Sequence, residues 1–557
     1  MFQSVAGQVD FVAQEHEVLR FWRETRAFDR LRELRRDGPR WSFVDGPITA
    51  NNPMGVHHGW GRTYKDLFHR FKAMQGHQTR YQNGFDCQGL WVEVNVEREM
   101  GFRSKKDIED FGLAEFVLLC KRRVLEYAAV QTEQSIRLGY WMDWDDPGRL
   151  RWLREKLAEN PAQVVSLEGR DGPVRGSAEE IVGRLGERRL GGSYFTFSDE
   201  NNYTIWAALK SCHERGWIYK GHDVMPWCSR CGTGLSQHEI VTEGYQELTH
   251  PSVTLRFPLR GRPGESLLVW TTTPWTLTSN VAAAVGPDLE YLRVRQGDEV
   301  LYLSGGARRM LRGDYQVEAT LRGSEMEGWT YDGPFDELPA SLNAGAPQAH
   351  RVVLWDEVGQ EEGTGIVHVA PGCGAEDFAL SKVHGLPVVA PLNEAGVFVD
   401  GFAWLTGRDV HEVAAPIFED LERKRLTYRV EDYTHRYPVC WRCLTPLVFR
   451  LVDEWFISMG PVFDKPYEEI TEEEKQRSLR YQIMEVVLRE TEWHPAFGLD
   501  RELDWLRNMH DWMISKKRYW GLALPIYECA ACGHFEVLGS KDELQEKAVA
   551  GWEAFAG

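Results

Sequence analysis

Apolar residues recur at helical spacing over residues 11–34, where Val18, Leu19, Trp22, Phe28, Leu31 and Leu34 share one stripe, which predicts an N-terminal helical arm. Residues 41–101 then read as strand, turn, helix and strand, and residues 108–141 as one long amphipathic helical stretch. A polar segment rich in glycine and charge, residues 147–192, interrupts this pattern. From residue 247 to 431 the texture changes to short β-type runs parted by Gly and Pro, among them SVTLRFPL, ESLLVWTT, EVLYLSG and GTGIVHVAPG. Helical patterns return after Cys440, and Ile514 onward reads strand-like, as if the first sheet were resumed. The expected architecture is α/β: a parallel-sheet domain interrupted by a β-rich one. Its parts are 1–221 (with 147–192 inserted), a short cysteine-bearing segment 222–246, the β-rich domain 247–431, and 432–557 as a second cysteine-bearing strand with a partial return to the first domain.

Inside the first unit, a short apolar strand breaks at Gly46-Pro47 and places Gly55-Val56-His57-His58 just ahead of a helix-like run. A strand, a glycine-containing turn and a helix N-terminus make a phosphate site, because unpaired N–H groups and the helix dipole converge there. Two adjacent imidazoles at that mouth can donate hydrogen bonds to phosphoryl oxygens as charge builds. The residues alone therefore point to nucleotide chemistry at the edge of a parallel sheet.

This stretch resembles the ATP-binding signature of class I aminoacyl-tRNA synthetases, specifically the isoleucine, valine and leucine group. Asp45-Gly46-Pro47, Ala50-Asn51 and Lys65-Asp66 match the pattern without gaps. Within the signature tetrad, Gly55 stands where the first histidine is expected, His57 where the glycine is, and His58 keeps the last place; a subgroup of the isoleucine enzymes carries this order. The resemblance implies a Rossmann-type catalytic domain in which Gly55, His57, His58 and Lys65 bind ATP, accompanied by Mg2+. It further implies that Asp86 and Gln88, on the GFDCQGL turn, lie beside the amino acid with Asp86 as ammonium partner. Pro47, Ile48 and Trp520 would form the side-chain pocket. Cys87 would be a wall of that site, not a nucleophile.

Composition narrows the setting. The 557 residues suffice for about three domains. Apolar content of 43% and charged content of 27% are those of an ordinary globular protein. No apolar run approaches a membrane span, and the N-terminus lacks a signal-peptide pattern, so no membrane partner is expected and the cytoplasm is the expected compartment. The net charge of −19 argues against a nucleic-acid coat but leaves room for local patches. KRRVLEY at Lys121 and SKKRYWG at Ser515 are small candidates that read better as solvated helix faces.

In that compartment the ten cysteines need a reason other than disulfides. Six form C-x2-C pairs: Cys228/Cys231, Cys440/Cys443 and Cys529/Cys532, each followed by small or turn-forming residues as a metal knuckle requires. The first two pairs bracket the β-rich domain and are placed to share one structural Zn2+ at its root, as the resemblance also implies. In the family the third pair is completed by a later C-x-C. Cys87, Cys120, Cys212 and Cys373 read as buried small hydrophobes.

Within the β-rich domain, WTTTPWTLTSN supplies hydroxyls able to position a ribose or a water. A carboxylate nine residues past a histidine in GTGIVHVAPGCGAEDF could anchor an α-ammonium. Both segments resemble the deacylation (editing) domain of the isoleucine enzymes. The resemblance places Thr271, Thr272 and Thr273 around the site, His368 on the substrate and Asp377 on the amino group. The TTTPWT form favours isoleucine over valine as the cognate amino acid. Taken together, the resemblance implies activation of isoleucine with ATP, transfer to tRNA(Ile) and hydrolysis of mischarged Val-tRNA(Ile) by a monomer. The chain reads as the N-terminal portion of such an enzyme, since no KMSKS-like loop occurs in it. Alternatives are a valine enzyme, a free-standing aminoacyl-tRNA deacylase, and a non-catalytic tRNA-binding remnant.

Overall fold

The computed structural model describes residues 8–235, 239–240 and 244–552. The chain forms two compact units, Met1–Trp217 with Arg518–Gly557, and Ile218–Lys517.

The first unit opens with helices α1 (Phe11–Thr25) and α2 (Ala27–Leu34), the expected arm. The Asp10 carboxylate caps α1 by accepting the Ala13 N–H at 3.0 Å. Strand β1 (Arg40–Val44) runs on past Gly46-Pro47 into β2 (Ile48–Thr49). Pro47 has no N–H to give the ladder, so the strand is interrupted there. Helix α3 (Val56–Met74) follows, then β3 (Gln78–Gln82) and β4 (Gly84–Asp86). Next come helices α4 (Leu90–Met100), α5 (Lys105–Phe111) and α6 (Leu113–Arg137). β1 pairs with β3, β2 with β4, and β4 with β7 (Tyr194–Phe195), all in parallel. This is the parallel α/β arrangement that the periodicity predicts. Its core gathers Phe85, Val92, Val96, Phe116, Val124, Leu125 and Ala128 with Trp520 from the returning segment.

The polar segment 147–192 is more ordered than its composition suggests. Helix α7 (Pro147–Glu159) starts on an Asp146 cap, β5 (Val164–Gly169) and β6 (Gly172–Ser177) form an antiparallel hairpin, and α8 (Ala178–Gly183) follows. Leu150, Leu153 and Leu157, on one face of α7, are buried with Val165, Leu167, Val174, Ile181 and Val182 in the same core. Few apolar residues at the right spacing were enough to seat it. Helix α9 (Asp199–Glu214) closes this part of the unit.

The second unit begins with β8 (Ile218–Cys228) and β9 (Thr233–Gly234). Its main sheet contains β10 (Tyr245–Pro258), β11 (Glu265–Thr271), β13 (Glu290–Gln296), β14 (Glu299–Ser304), β15 (Gln316–Arg322) and β18 (Thr427–Pro438), in the order β15-β13-β14-β11-β10-β18. A smaller sheet sets β12 (Ala282–Val285) between β16 (Val352–Leu354) and β17 (Val367–Val369). The core between them is strongly apolar, with Val253, Leu255, Phe257, Val269, Trp275, Tyr291 and Tyr302 buried. The β-rich texture is present, within a unit that runs from Ile218 to Lys517.

Two expectations for the C-terminal part need correction. Helix does not follow Cys440 directly: β19 (Val448–Ile457) comes first and pairs antiparallel along β8, and helices Leu479–Arg489 and Gly498–Asn508 come later. The period-2 burial of Val448, Val452, Glu454 and Phe456 is the strand signal behind this. Nor does Ile514 begin a strand. β20 (Trp512–Met513) ends just before it, pairing with β19 in the second unit, and residues 514–525 are irregular. SKKRYWG is accordingly no helix face: Arg518 is buried on Glu93 (2.6 Å) and Glu97. The other basic run, at Lys121, does lie on α6, but Lys121 pairs with Glu179 and Arg123 turns inward onto Asn51. Among the described residues no helix is long and apolar enough to cross a membrane.

Candidate functional site

In the first unit, Gly55 is the N-cap residue of α3 and is held by a reciprocal cap. Its N–H donates to His58 Nδ1 at 3.0 Å, and His58 N–H donates back to the Gly55 carbonyl at 3.0 Å. Because Nδ1 accepts, the neutral ring carries its proton on Nε2, on the side away from the cap. Burial, then the neighbouring His57 and Arg62, hold the His58 pKa below its ordinary value and favour that neutral form. The His57 ring is exposed and lies 3.9 Å from the His58 ring, centroid to centroid. Lys65, expected at ATP, sits on α3 well past its first turn and pairs with the buried carboxylate of Asp45, which Arg62 also approaches at 3.6 Å.

At the carboxyl end of β4 stands Asp86. Its Oδ2 accepts from the Thr49 hydroxyl at 3.0 Å across the β2–β4 pair, a partner that the sequence reading missed. Gln88, two residues on, donates from its amide side chain to Asn202 Oδ1 at 3.0 Å. Pro47 and Ile48 are half-buried on the adjoining strand. Trp520 is buried and fixed at two points: its backbone N–H donates to Glu93 at 3.0 Å and its indole N–H to the Cys87 carbonyl at 2.8 Å. Trp520 thus reaches the turn that carries Asp86 and Gln88 through a bond to Cys87 spanning more than 400 positions in the chain, and Ile48 lies on the strand paired with β4. The Cys87 thiol is fully buried, donates to the Phe85 carbonyl at 3.1 Å and has its pKa pushed up by burial, which suits a wall and not a nucleophile.

In the second unit a hydrogen-bonded chain runs from the end of β11 to β17. Thr273 N–H donates to Thr271 Oγ1 at 3.1 Å, and the two hydroxyls lie 3.2 Å apart. Thr273 Oγ1 is 3.5 Å from Thr276 Oγ1, which is 2.9 Å from His368 Nε2. Thr276 gives its only proton to the Thr273 carbonyl at 2.7 Å, so His368 donates from Nε2 and its buried Nδ1 is left as an acceptor with no partner among the described residues. Burial lowers the His368 pKa to about 4. Asp377, in the first turn of the helix Ala375–His384, accepts the Ala370 N–H at 2.8 Å, two residues beyond His368. Burial raises its pKa to about 6 against the opposing backbone bond from Ala370. Thr272 lies on the bend between its neighbours, outside this bonded chain. Thr276 was not foreseen as a member; the turn Pro274–Ser279, with proline at its start, was the available signal, since it sets residues three apart on one side.

The cysteine pairs form knuckles of one shape. In each, the residue after the second cysteine is left-handed (Gly232 φ 60°, Leu444 φ 64°, Gly533 φ 71°) and donates its N–H to the carbonyl of the first cysteine, at 2.8, 2.7 and 2.9 Å. Cys228, Cys231, Cys440 and Cys443 meet in one cluster, with all four sulfurs within 4.8 Å of one another. Cys443 Sγ lies 3.5 Å from Cys228 Sγ and 3.6 Å from Cys231 Sγ. A tetrahedral zinc with bonds of about 2.3 Å needs sulfurs about 3.8 Å apart, so the donor set fits that ion. Cys529 and Cys532, on the turn between β21 (Ile526–Glu528) and β22 (Phe535–Val537), are exposed.

Comparison with known proteins matches the family described as tRNA synthetases class I (I, L, M and V) over residues 17–166 and 176–554. The isoleucine–tRNA ligase of Methanothermobacter marburgensis is 37% identical over 541 residues, covering 96% of this chain and 45% of the relative. Those of Streptomyces coelicolor and Thermus thermophilus are each 37% identical, covering 98% of this chain and 46% of the relative. The chain spans under half the length of the curated relatives it matches.

Proposed function

Because the chain belongs to the class I tRNA synthetases of the isoleucine, leucine, methionine and valine group, we propose that it carries the isoleucine-activating and proofreading sites of an isoleucine–tRNA ligase. In the first unit, the carboxylate of isoleucine attacks the α-phosphorus of ATP in line, releasing pyrophosphate and leaving isoleucyl-adenylate. His58 donates from Nε2 to a phosphoryl oxygen, with His57 beside it and the α3 N-terminus adding N–H donors. Mg2+ bound with ATP would offset phosphate charge. Asp86 takes the substrate ammonium, for which the Thr49 bond leaves it free lone pairs, while Pro47, Ile48 and Trp520 face the branched side chain. The acyl group then passes to a ribose hydroxyl of the terminal adenosine of tRNA(Ile), forming the ester and releasing AMP. We place the enzyme in the cytoplasm as a monomer.

A pocket separates isoleucine from valine, one methylene smaller, by only about 1–3 kcal/mol, too little for faithful coding. The second unit supplies the remainder by hydrolysing Val-tRNA(Ile). Asp377 holds the aminoacyl ammonium, the threonine hydroxyls seat the terminal ribose, and His368 Nδ1 accepts a hydrogen bond from the attacking water or substrate hydroxyl. Zn2+ on Cys228, Cys231, Cys440 and Cys443 would tie the root of this unit together; Cys529 and Cys532 form half of a second such site.

The observation that carries the activation reading is the His58–Gly55 cap, which orients a protonated imidazole nitrogen at the N-terminus of a long helix. Calorimetric titration with non-hydrolysable isoleucyl- and valyl-adenylate analogues tests it. Isoleucyl binding tighter than valyl by about 10–200-fold is expected, weakened in His58→Ala; equal affinities, or an unaffected His58→Ala, would reject the assignment.

A further inference from the structure

The loop that delivers Gly55 to the site, residues 49–54, is held from one side by α6, through polar residues that the reaction itself does not require. Gln131, fully buried in mid-helix, donates from Nε2 to the carbonyls of both Thr49 and Asn52, each at 2.8 Å. Gln134 accepts the Met54 N–H on Oε1 at 2.8 Å. Arg123 donates to the Asn51 carbonyl at 2.8 Å and to its side chain, and Asn51 in turn donates to the Trp91 carbonyl at 3.0 Å. Ser135 donates to the Gln131 carbonyl at 2.8 Å and accepts from Arg62 of α3 at 2.9 Å, so the same face reaches the helix that bears His58.

This is more than incidental satisfaction of loop polar groups. The bonds from Gln131 reach the first and fourth residues of the loop, and the bond to Gln134 reaches the last one before the cap. Thr49 is also the residue whose hydroxyl binds Asp86. The other faces of α6 are anchored in the apolar core through Phe116, Cys120, Val124, Leu125, Ala128 and Ala129, all with no exposed surface. A rigid helix therefore fixes both ends of a loop whose two ends carry the two halves of the site.

We propose that Gln131 and Gln134 are positioning residues for adenylate formation, setting the His58–Gly55 cap relative to Asp86. The proposal rests on the phosphate-site reading of Gly55–His58. Removing either amide lets the loop drift, and a shift of about an ångström at the reacting groups costs far more in binding and rate than in folding.

The test uses the whole chain with Gln131→Met, Gln134→Met and Gln134→Glu. Methionine keeps the side-chain length but neither bond, whereas glutamate keeps the acceptor that Met54 needs. The isoleucyl-adenylate analogue should bind about tenfold more weakly to both methionine variants and nearly normally to Gln134→Glu. Hydrolysis of Val-tRNA(Ile), which uses the other unit, should be unchanged in all three. Amide exchange at Met54 and Gly55 should accelerate in Gln134→Met and recover in Gln134→Glu. Native analogue affinity in both folded methionine variants, or a Gln134→Glu as impaired as Gln134→Met, would overturn the proposal. If the unaltered chain binds no analogue, the phosphate-site reading fails, and unchanged exchange at Met54 and Gly55 would then reject the positioning role as well.

Discussion

The two candidate sites are built on opposite principles. In the β-rich unit the candidate groups are buried and linked by hydrogen bonds: Thr271 is 6% exposed, Thr276 5% and His368 9%. In the α/β unit His57 is exposed, and the outward side of α3 shows Trp60, Leu67, Phe68, Phe71 and Met74 at 52–79% exposure. That apolar stripe is far more than a solvated helix face needs. Burial dominates the electrostatics of the β-rich site: desolvation is the largest cause lifting Asp377 to about 6, helped by Glu376 and opposed by the Ala370 N–H, and it lowers His368 to about 4. The other candidate site is defined instead by orientation, with a backbone cap setting the His58 tautomer and α6 bonded to the preceding segment. A buried, mutually bonded group of side chains and an open helix cap should therefore respond differently to the same perturbations.

The largest difference should come from metal removal. Chelation, or Cys440→Ser, should remove one zinc per chain and unfold the β8–β19 root. Structural zinc in small thiolate sites contributes on the order of 10 kcal/mol at neutral pH. Metal analysis with thermal unfolding checks this, and a zinc-free chain with unaltered unfolding would show the knuckles to be plain turns. Next in size, Asp86→Asn should weaken the isoleucyl-adenylate analogue by about 1.5–3 kcal/mol, the range for a charge-assisted hydrogen bond, and leave deacylation untouched. Titration of both activities in one preparation would expose any cross-effect.

Acidity offers a subtler contrast. Asp377 must be ionised to hold an ammonium, so kcat/KM for deacylation should rise with pH through about 6, the value that burial imposes. His368, lowered to about 4, is neutral throughout that range and adds no second limb. The stability sign runs the other way. A carboxyl whose folded pKa exceeds its unfolded value of about 3.9 stabilises the fold fully below that value, and the contribution is lost as pH rises through about 6. Asp377→Asn should therefore flatten the pH dependence of stability in this window. A wild-type rate profile that is flat from pH 5 to 7 would contradict the buried carboxylate. The smallest effect concerns Leu444, a left-handed leucine where the other two knuckles have glycine. Leu444→Gly should stabilise by no more than about 1 kcal/mol, read as a small rise in Tm.

Legibility in the sequence followed the range of the interactions. The strand–turn–helix of the phosphate loop, the knuckles and the β texture are local patterns of period and turn chemistry, and these were readable. Thr276 and the Gln131–Gln134 clamp were not, because their meaning lies in partners 80 or more positions away at Met54 and His368. Arg518 misled for the same reason: a basic run reads as solvated until the buried Glu93 and Glu97 are seen beside it. In 147–192 the frequent Gly, Arg and Glu hid a few well-spaced leucines that were sufficient to bury the segment.

The central claim, that one chain pairs an activation site with a size-sorting hydrolytic site, is tested most directly by hydrolysis of Val-tRNA(Ile) and Ile-tRNA(Ile) side by side. The account predicts valyl ester cleavage at least about a hundredfold faster than isoleucyl, as expected when a second cavity admits only the smaller side chain, and its loss in a folded Asp377→Ala. Equal rates on the two esters, or undiminished cleavage in Asp377→Ala, would contradict it.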